Sequence, residues 1–172
     1  LSKARGKYFI WISGDDFIDP NWLEVLLRGM SEQSAISFGR LVEISKKGEI
    51  TKVRQLMQFR GPLMVRATKM YWSNGAECSF LHGLTRTEYV RSIGGLNTFR
   101  QGGLAFDRLF SWQSLQHGFL TSSDGTNLYK RDSINNWHIQ KLPYRKLVLH
   151  AIFPFIPIRR VFLLHTIKLS AF

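Results

Sequence analysis

The stretch from Lys7 to Pro20 constrains the fold more than any other part of this chain. Lys7 to Ile12 (KYFIWI) is a short run dominated by aromatic and β-branched residues, the pattern of a central strand covered on both faces. It stops at Ser13-Gly14-Asp15-Asp16. Asp19 and Pro20 then offer an N-cap and a first-turn proline, and Trp22, Leu23, Leu26, Leu27 and Met30 recur at helical spacing. A strand leading through an acidic loop into a helix is the unit of an α/β layer fold, and such sheets place ligands at the carboxyl ends of their strands.

The rest of the chain continues the alternation. Ala35 to Ile44 and Glu49 to Phe59 read as strands around a turn at Lys46-Lys47-Gly48. Arg60 to Glu77 lacks a clean period and is expected as a loop with short helical pieces. Ser79 to Thr85 reads as a strand and Thr87 to Ile93 as a short helix stopped by Gly94-Gly95. Phe106 to His117 reads as a helix capped by Gly118, and Phe119 to Lys130 as two strands around a turn at Asp124-Gly125. No internal repeat or low-complexity segment interrupts this order.

Composition narrows the class. With 172 residues, 44% of them hydrophobic, the chain can bury a core, which excludes a disordered protein. One cysteine, Cys78, excludes an intrachain disulfide framework and a cysteine-rich zinc site, and points to a reducing compartment, the cytoplasm. The formal net charge of +12 calls for an anionic partner: nucleic acid, phospholipid headgroups or a diphosphate. The excess is concentrated late, with eight Lys or Arg residues and the single acid Asp132 from Gly125 onward. The chain opens on Leu1 without a signal-like region and is expected to be a piece of a longer protein. No uninterrupted apolar stretch reaches the roughly 20 residues of a membrane span.

Two adjacent carboxylates past an apolar strand repel each other unless a cation or a hydrogen-bond network offsets the charge. Carboxylate oxygens suit Mg²⁺ or Mn²⁺, which keep positions open for phosphates, and Gly14 lets the loop turn or a bulky ligand approach. The residues alone leave a second reading open, in which Asp16 or Asp19 caps the next helix and Asp15 is solvated.

The segment from Ala4 to Pro20 (ARGKYFIWISGDDFIDP) resembles the family 2 glycosyltransferases, whose motif runs approximately A-x-G-x-Y-I-x-x-x-D-x-D-D-x-x-x-P. The first acid of that motif falls on Ser13. The resemblance assigns Asp15 and Asp16 to a divalent cation, Mn or Mg, and through it to the donor diphosphate. Two further blocks follow in the family's order. Gly83 to Asn97 (GLTRTEYVRSIGGLN) resembles the stretch G-x-x-R-R-x-x-x-x-x-G-G-F-D-E. Asp107, eleven positions before Gly118, matches the acid that serves as catalytic base, although Phe106 stands where the family has glutamate. Without the resemblance, Asp107 reads equally as a first-turn acid complementing a helix dipole.

The resemblance covers about Lys3 to Ile134 and implies an α/β GT-A fold, Rossmann-like, with a mixed, mostly parallel sheet flanked by helices. The fold is expected to be incomplete, because nothing like the family's initial nucleoside-binding strand and loop is present. Residues 1–135 would form the catalytic domain. Residues 136–172 would form a basic, apolar tail suited to a membrane interface or to docking on other parts of the enzyme. In the segment Tyr129 to Ile134, Arg131 is the candidate for the diphosphate, and His138 further on is a candidate metal ligand. The implied activity is inverting transfer from a nucleotide-diphosphate sugar to a hydroxyl of a glycan or lipid-linked acceptor, in cell-surface polysaccharide synthesis. The enzyme would be non-processive and peripheral on the inner face of the cytoplasmic membrane. Two alternatives stand beside it: a truncated, inactive glycosyltransferase, and a basic nucleic-acid-binding module. The second lacks a helix-turn-helix, zinc or RNP pattern and leaves Asp15-Asp16 unexplained, so no nucleic-acid partner is expected.

Overall fold

A computed structural model of the chain describes residues 1–72, 77–95 and 106–131. The elements in chain order are β1 (Tyr8–Phe9), β2 (Phe17–Ile18), α1 (Trp22–Gly29), β3 (Ser34–Ile44), β4 (Ile50–Val53), α2 (Leu63–Trp72), α3 (Glu77–Phe80), β5 (Leu84–Arg86), α4 (Thr87–Ser92), α5 (Phe106–His117) and β6 (Phe119–Arg131). The strands form one sheet in the order β1-β5-β3-β6-β2, with β4 paired to β3. The expected α/β class and mixed sheet are what the structure has. The balance of directions differs: of the five described pairings only β3 with β6 is parallel, though it is the longest, running from Ser34 opposite Phe119 to Ile44 opposite Arg131.

Alternation along β3 builds two apolar clusters. Ile36 and Phe38 join Phe59, Phe80, Val90, Phe110, Leu115 and Leu120 on one face, while Leu41 joins Trp22, Leu26, Leu84 and Leu128 on the other. The second face carries small residues where α1 lies down. A Cβ on Gly39 would run into the Trp22 ring and approach Thr126 Cγ2 to 2.9 Å, and Gly29 sits against the hydroxyls of Ser37 and Ser123, themselves 3.0 Å apart. Only small groups there allow the helix so near the sheet.

Several expectations are corrected. The run from Lys7 to Ile12 is apolar on both sides as expected, with Tyr8 and Ile10 on the α1 cluster and Phe9 and Trp11 on the other. Only Tyr8 and Phe9 join the ladder, at the end of the strand order and not its centre, because the chain leaves to cross to β2 beside β6. Asp19 does not cap α1. The N-cap position is Asn21, and Asp19 Oδ2 instead accepts the Asn127 backbone N–H and side-chain amide, both at 2.8 Å. The segment after Arg60 contains a ten-residue helix, α2, and residues 77–80 are helical, so β5 begins only at Leu84. Gly118 ends α5, but not through a left-handed conformation: a Cβ there would lie 2.5 Å from Gln33 O and 2.9 Å from Ala35 N. Phe119 to Arg131 is one strand and not a hairpin, since it runs parallel to β3 on both sides of Asp124-Gly125. The extra residues are looped out as a bulge with Gly125 at φ 88°. The turn before β4 and the stop of α4 stand as expected, with Gly48, Gly94 and Gly95 at positive φ. Among the described residues no helix is long and apolar enough to cross a membrane. The tail expected from 136 onward lies outside them.

Candidate active site

Between β1 and β2 the chain passes from one end of the strand order to the other, and the acidic loop lies on this crossing. Four strand spacings of about 4.8 Å make roughly 19 Å. Eight residue steps reach at most about 27 Å, enough to make the crossing with room for a turn. Ile12, Ser13, Gly14 and Asp15 are exposed along it, and the Asp16 amide donates to the Ser13 carbonyl at 3.3 Å. A Cβ on Gly14 would meet nothing within 4 Å and its φ is not positive, so the loop's own conformation does not require glycine there.

The two carboxylates stand in different environments. Asp15 faces solvent. The Asp16 side chain is 2% exposed and lies beside His82, Oδ2 to Nε2 3.6 Å, too far for a hydrogen bond and an ion pair only while the ring carries both protons. His82 Nδ1 donates to the Trp11 carbonyl at 2.9 Å, which fixes a proton on that nitrogen. Burial raises the Asp16 carboxyl above its ordinary value. The charges of His82 and Lys130 pull it back, the neighbouring Asp15 raises it further, and a hydrogen bond with Ser13 lowers it. Ser13, where a third acid would have added negative charge, thus supplies a donor to the buried carboxylate.

The other expected residues are placed as follows. Arg131 ends β6 and is exposed; the charge that acts on Asp16 is that of its neighbour Lys130, on the alternate side of the strand. Asp107 is the second residue of α5, and its side chain lies outside the described residues. His138 also lies outside them. Among the described residues no three of His, Cys, Asp and Glu come together as a metal-holding group. Sequence reasoning missed His82, and within the segment from Tyr129 it preferred Arg131 to the neighbouring Lys130. The one local signal for His82 is a polar residue inside the apolar run Phe80-Leu81-His82-Gly83-Leu84.

Comparison with known proteins bears on this arrangement. The family model described as "Glycosyl transferase family 2" matches residues 1–105, which include the acidic loop and His82. Neither the curated proteins nor the solved structures give a match. The mixed sheet with helices on both faces accords with the GT-A architecture of that family. With more than half of its length matched, the chain belongs to glycosyltransferase family 2.

Proposed function

We propose that this protein transfers a sugar, with inversion, from a nucleotide-diphosphate donor to a hydroxyl of a glycan or lipid-linked acceptor in cell-surface polysaccharide synthesis. The observation that carries the reading is the loop Ser13-Gly14-Asp15-Asp16, which pairs an exposed carboxylate with a buried one. The residues fit a divalent cation. Mg²⁺ and Mn²⁺ take one or two carboxylates and complete their shell with water and phosphate. A positive charge there would offset the burial and like-charge repulsion that raise Asp16. The open space at Gly14 gives a bulky phosphate room to approach. Asp15 and Asp16 would hold the cation, with His138 as a further ligand and Arg131 at the diphosphate. The cation, when bound, offsets charge on the departing diphosphate.

Asp107 acts as the base. Its carboxylate takes the proton of the acceptor hydroxyl while that oxygen forms a bond to the anomeric carbon. The bond from that carbon to the diphosphate oxygen breaks with its electron pair on the leaving group. One displacement inverts the anomeric centre. The tail from 136 holds the enzyme on the inner face of the cytoplasmic membrane, where a lipid-linked acceptor is presented.

Thermal unfolding of the chain carrying the family's nucleoside-binding strand and loop at its N-terminus, with UDP, GDP and dTDP and with and without Mn²⁺, tests the reading. One nucleotide is expected to stabilise the protein in a Mn²⁺-dependent way, by about 2.7 kcal/mol at a hundredfold excess over Kd. No shift with any nucleotide overturns it. Once a donor is found, Asp107→Asn is expected to lower kcat by about 10²- to 10⁴-fold with little change in donor KM, measured by product formation.

A further inference from the structure

His82 has no role in the transfer described above, yet it touches both ends of the acidic loop. Its Nδ1 donates to the carbonyl of Trp11, the residue before the loop, at 2.9 Å. Its Nε2 faces the carboxylate of Asp16, the residue that closes the loop, at 3.6 Å. Both side chains are shut off from water, 4% and 2% exposed. The four residues between, Ile12 to Asp15, are exposed. Their own ties are the Asp16 amide on the Ser13 carbonyl and the Ser13 side chain on Asp16.

The imidazole stands on a rigid support. Phe80 is fully buried, Gly83 N–H donates to the Phe80 carbonyl at 3.0 Å, and a Cβ on Gly83 would collide with Ile36 and come within 2.8 Å of Ser37 O. The backbone on both sides of His82 is thus pressed against β3.

We infer that His82 is a positioning residue: one imidazole, anchored on the sheet, is bonded to one foot of the acidic loop at Trp11 and lies against the other at Asp16, and so sets where the Asp15 and Asp16 carboxylates stand to receive a cation. The inference rests on the reading that these two carboxylates bind the cation of the donor. A group that orients a ligand through a second contact acts as outer-shell partners do, and removing such a partner costs about 10- to 100-fold in metal affinity.

The test uses the full chain and Mn²⁺ alone, with free Mn²⁺ read by electron paramagnetic resonance and the fold by circular dichroism and melting temperature. Asp16→Asn is expected to abolish binding and His82→Ala to weaken it by about 10- to 100-fold. His82→Gln, whose amide reaches the Asp16 end, is expected to bind Mn²⁺ more tightly than His82→Asn, which keeps only the bond to Trp11. That order should hold whichever variant melts higher, which a purely structural role would not produce. Should His82→Ala not fold, the Gln and Asn variants decide. Wild-type affinity in all the folded His82 variants, with Asp16→Asn silent, overturns the inference and leaves the cation reading standing. A wild-type protein that binds no Mn²⁺ removes both.

Discussion

The Tyr89 hydroxyl lies 3.0 Å from Ser114 Oγ, and that hydroxyl gives its own proton to the Phe110 carbonyl at 2.7 Å. The phenol must therefore donate, and it needs its proton to do so. Burial pushes its ionisation well above the ordinary tyrosine value. A folded-state pKa above the unfolded one contributes stability that is whole below about pH 10 and is lost as pH rises through the raised value. Tyr89→Phe is expected to lose about 1 kcal/mol at neutral pH, for the missing hydrogen bond. It should also remove this source of alkaline sensitivity, so that the two proteins converge as pH rises. Urea unfolding of both from about pH 8 to 11 measures it, and parallel curves would count against the argument. At this scale the sequence is legible where chemistry is local. Asp15 and Asp16 announce themselves because two acids follow an apolar run. His82 does not, because its partner Trp11 is 71 positions away and only the fold brings the two together.

Among the elements, β6 shows what periodicity cannot reveal. Asp124-Gly125 carries turn residues, and in isolation it reads as a hairpin. The structure uses it as a bulge: from Phe38 to Arg40 the partner strand takes two steps, while β6 takes five, from Ser122 to Asn127. Three extra residues are an odd number, so the side-chain alternation of β6 reverses across the bulge. Leu120 faces the larger cluster, and Leu128, after the bulge, faces α1. Deleting Gly125 alone would leave an even excess and turn Leu128 to the wrong face. The expected cost is about that of truncating a buried leucine, 2–5 kcal/mol. Deleting Asp124 and Gly125 together keeps the parity and should cost less, despite losing the exposed Arg40–Asp124 pair at 2.9 Å. Denaturant midpoints of the two deletions give the order, and the reverse order refutes the parity argument. The helices α1, α4 and α5 were legible from their spacing and stop signals. The β1 run was legible as doubly buried but not as brief, because its exit is dictated by the position of β2 across the sheet.

At the scale of the molecule, one sheet serves two apolar clusters, and the same strands feed both. β3 sends Ile36 and Phe38 to one side and Leu41 to the other, and β6 divides Leu120 and Leu128 likewise. Damage to either cluster should therefore be felt by the whole described domain. Phe80 is the sharpest probe, fully buried, with its ring 4.6 Å from Phe38 and 5.3 Å from Phe59, both edge-on. Phe80→Ala is expected to cost about 3–5 kcal/mol, a large part of the roughly 5–15 kcal/mol that holds a domain together. The informative quantity is where the loss is seen. Trp22 is buried in the α1 cluster and Trp112 packs against the other, so fluorescence of single-tryptophan variants reports each side separately. If the shared strands couple the clusters, Phe80→Ala lowers the urea midpoint of Trp22 as much as that of Trp112, in one two-state transition. A Trp22 midpoint left at its wild-type value would mean that the α1 face folds independently of the face Phe80 fills, and that the sheet does not transmit the loss.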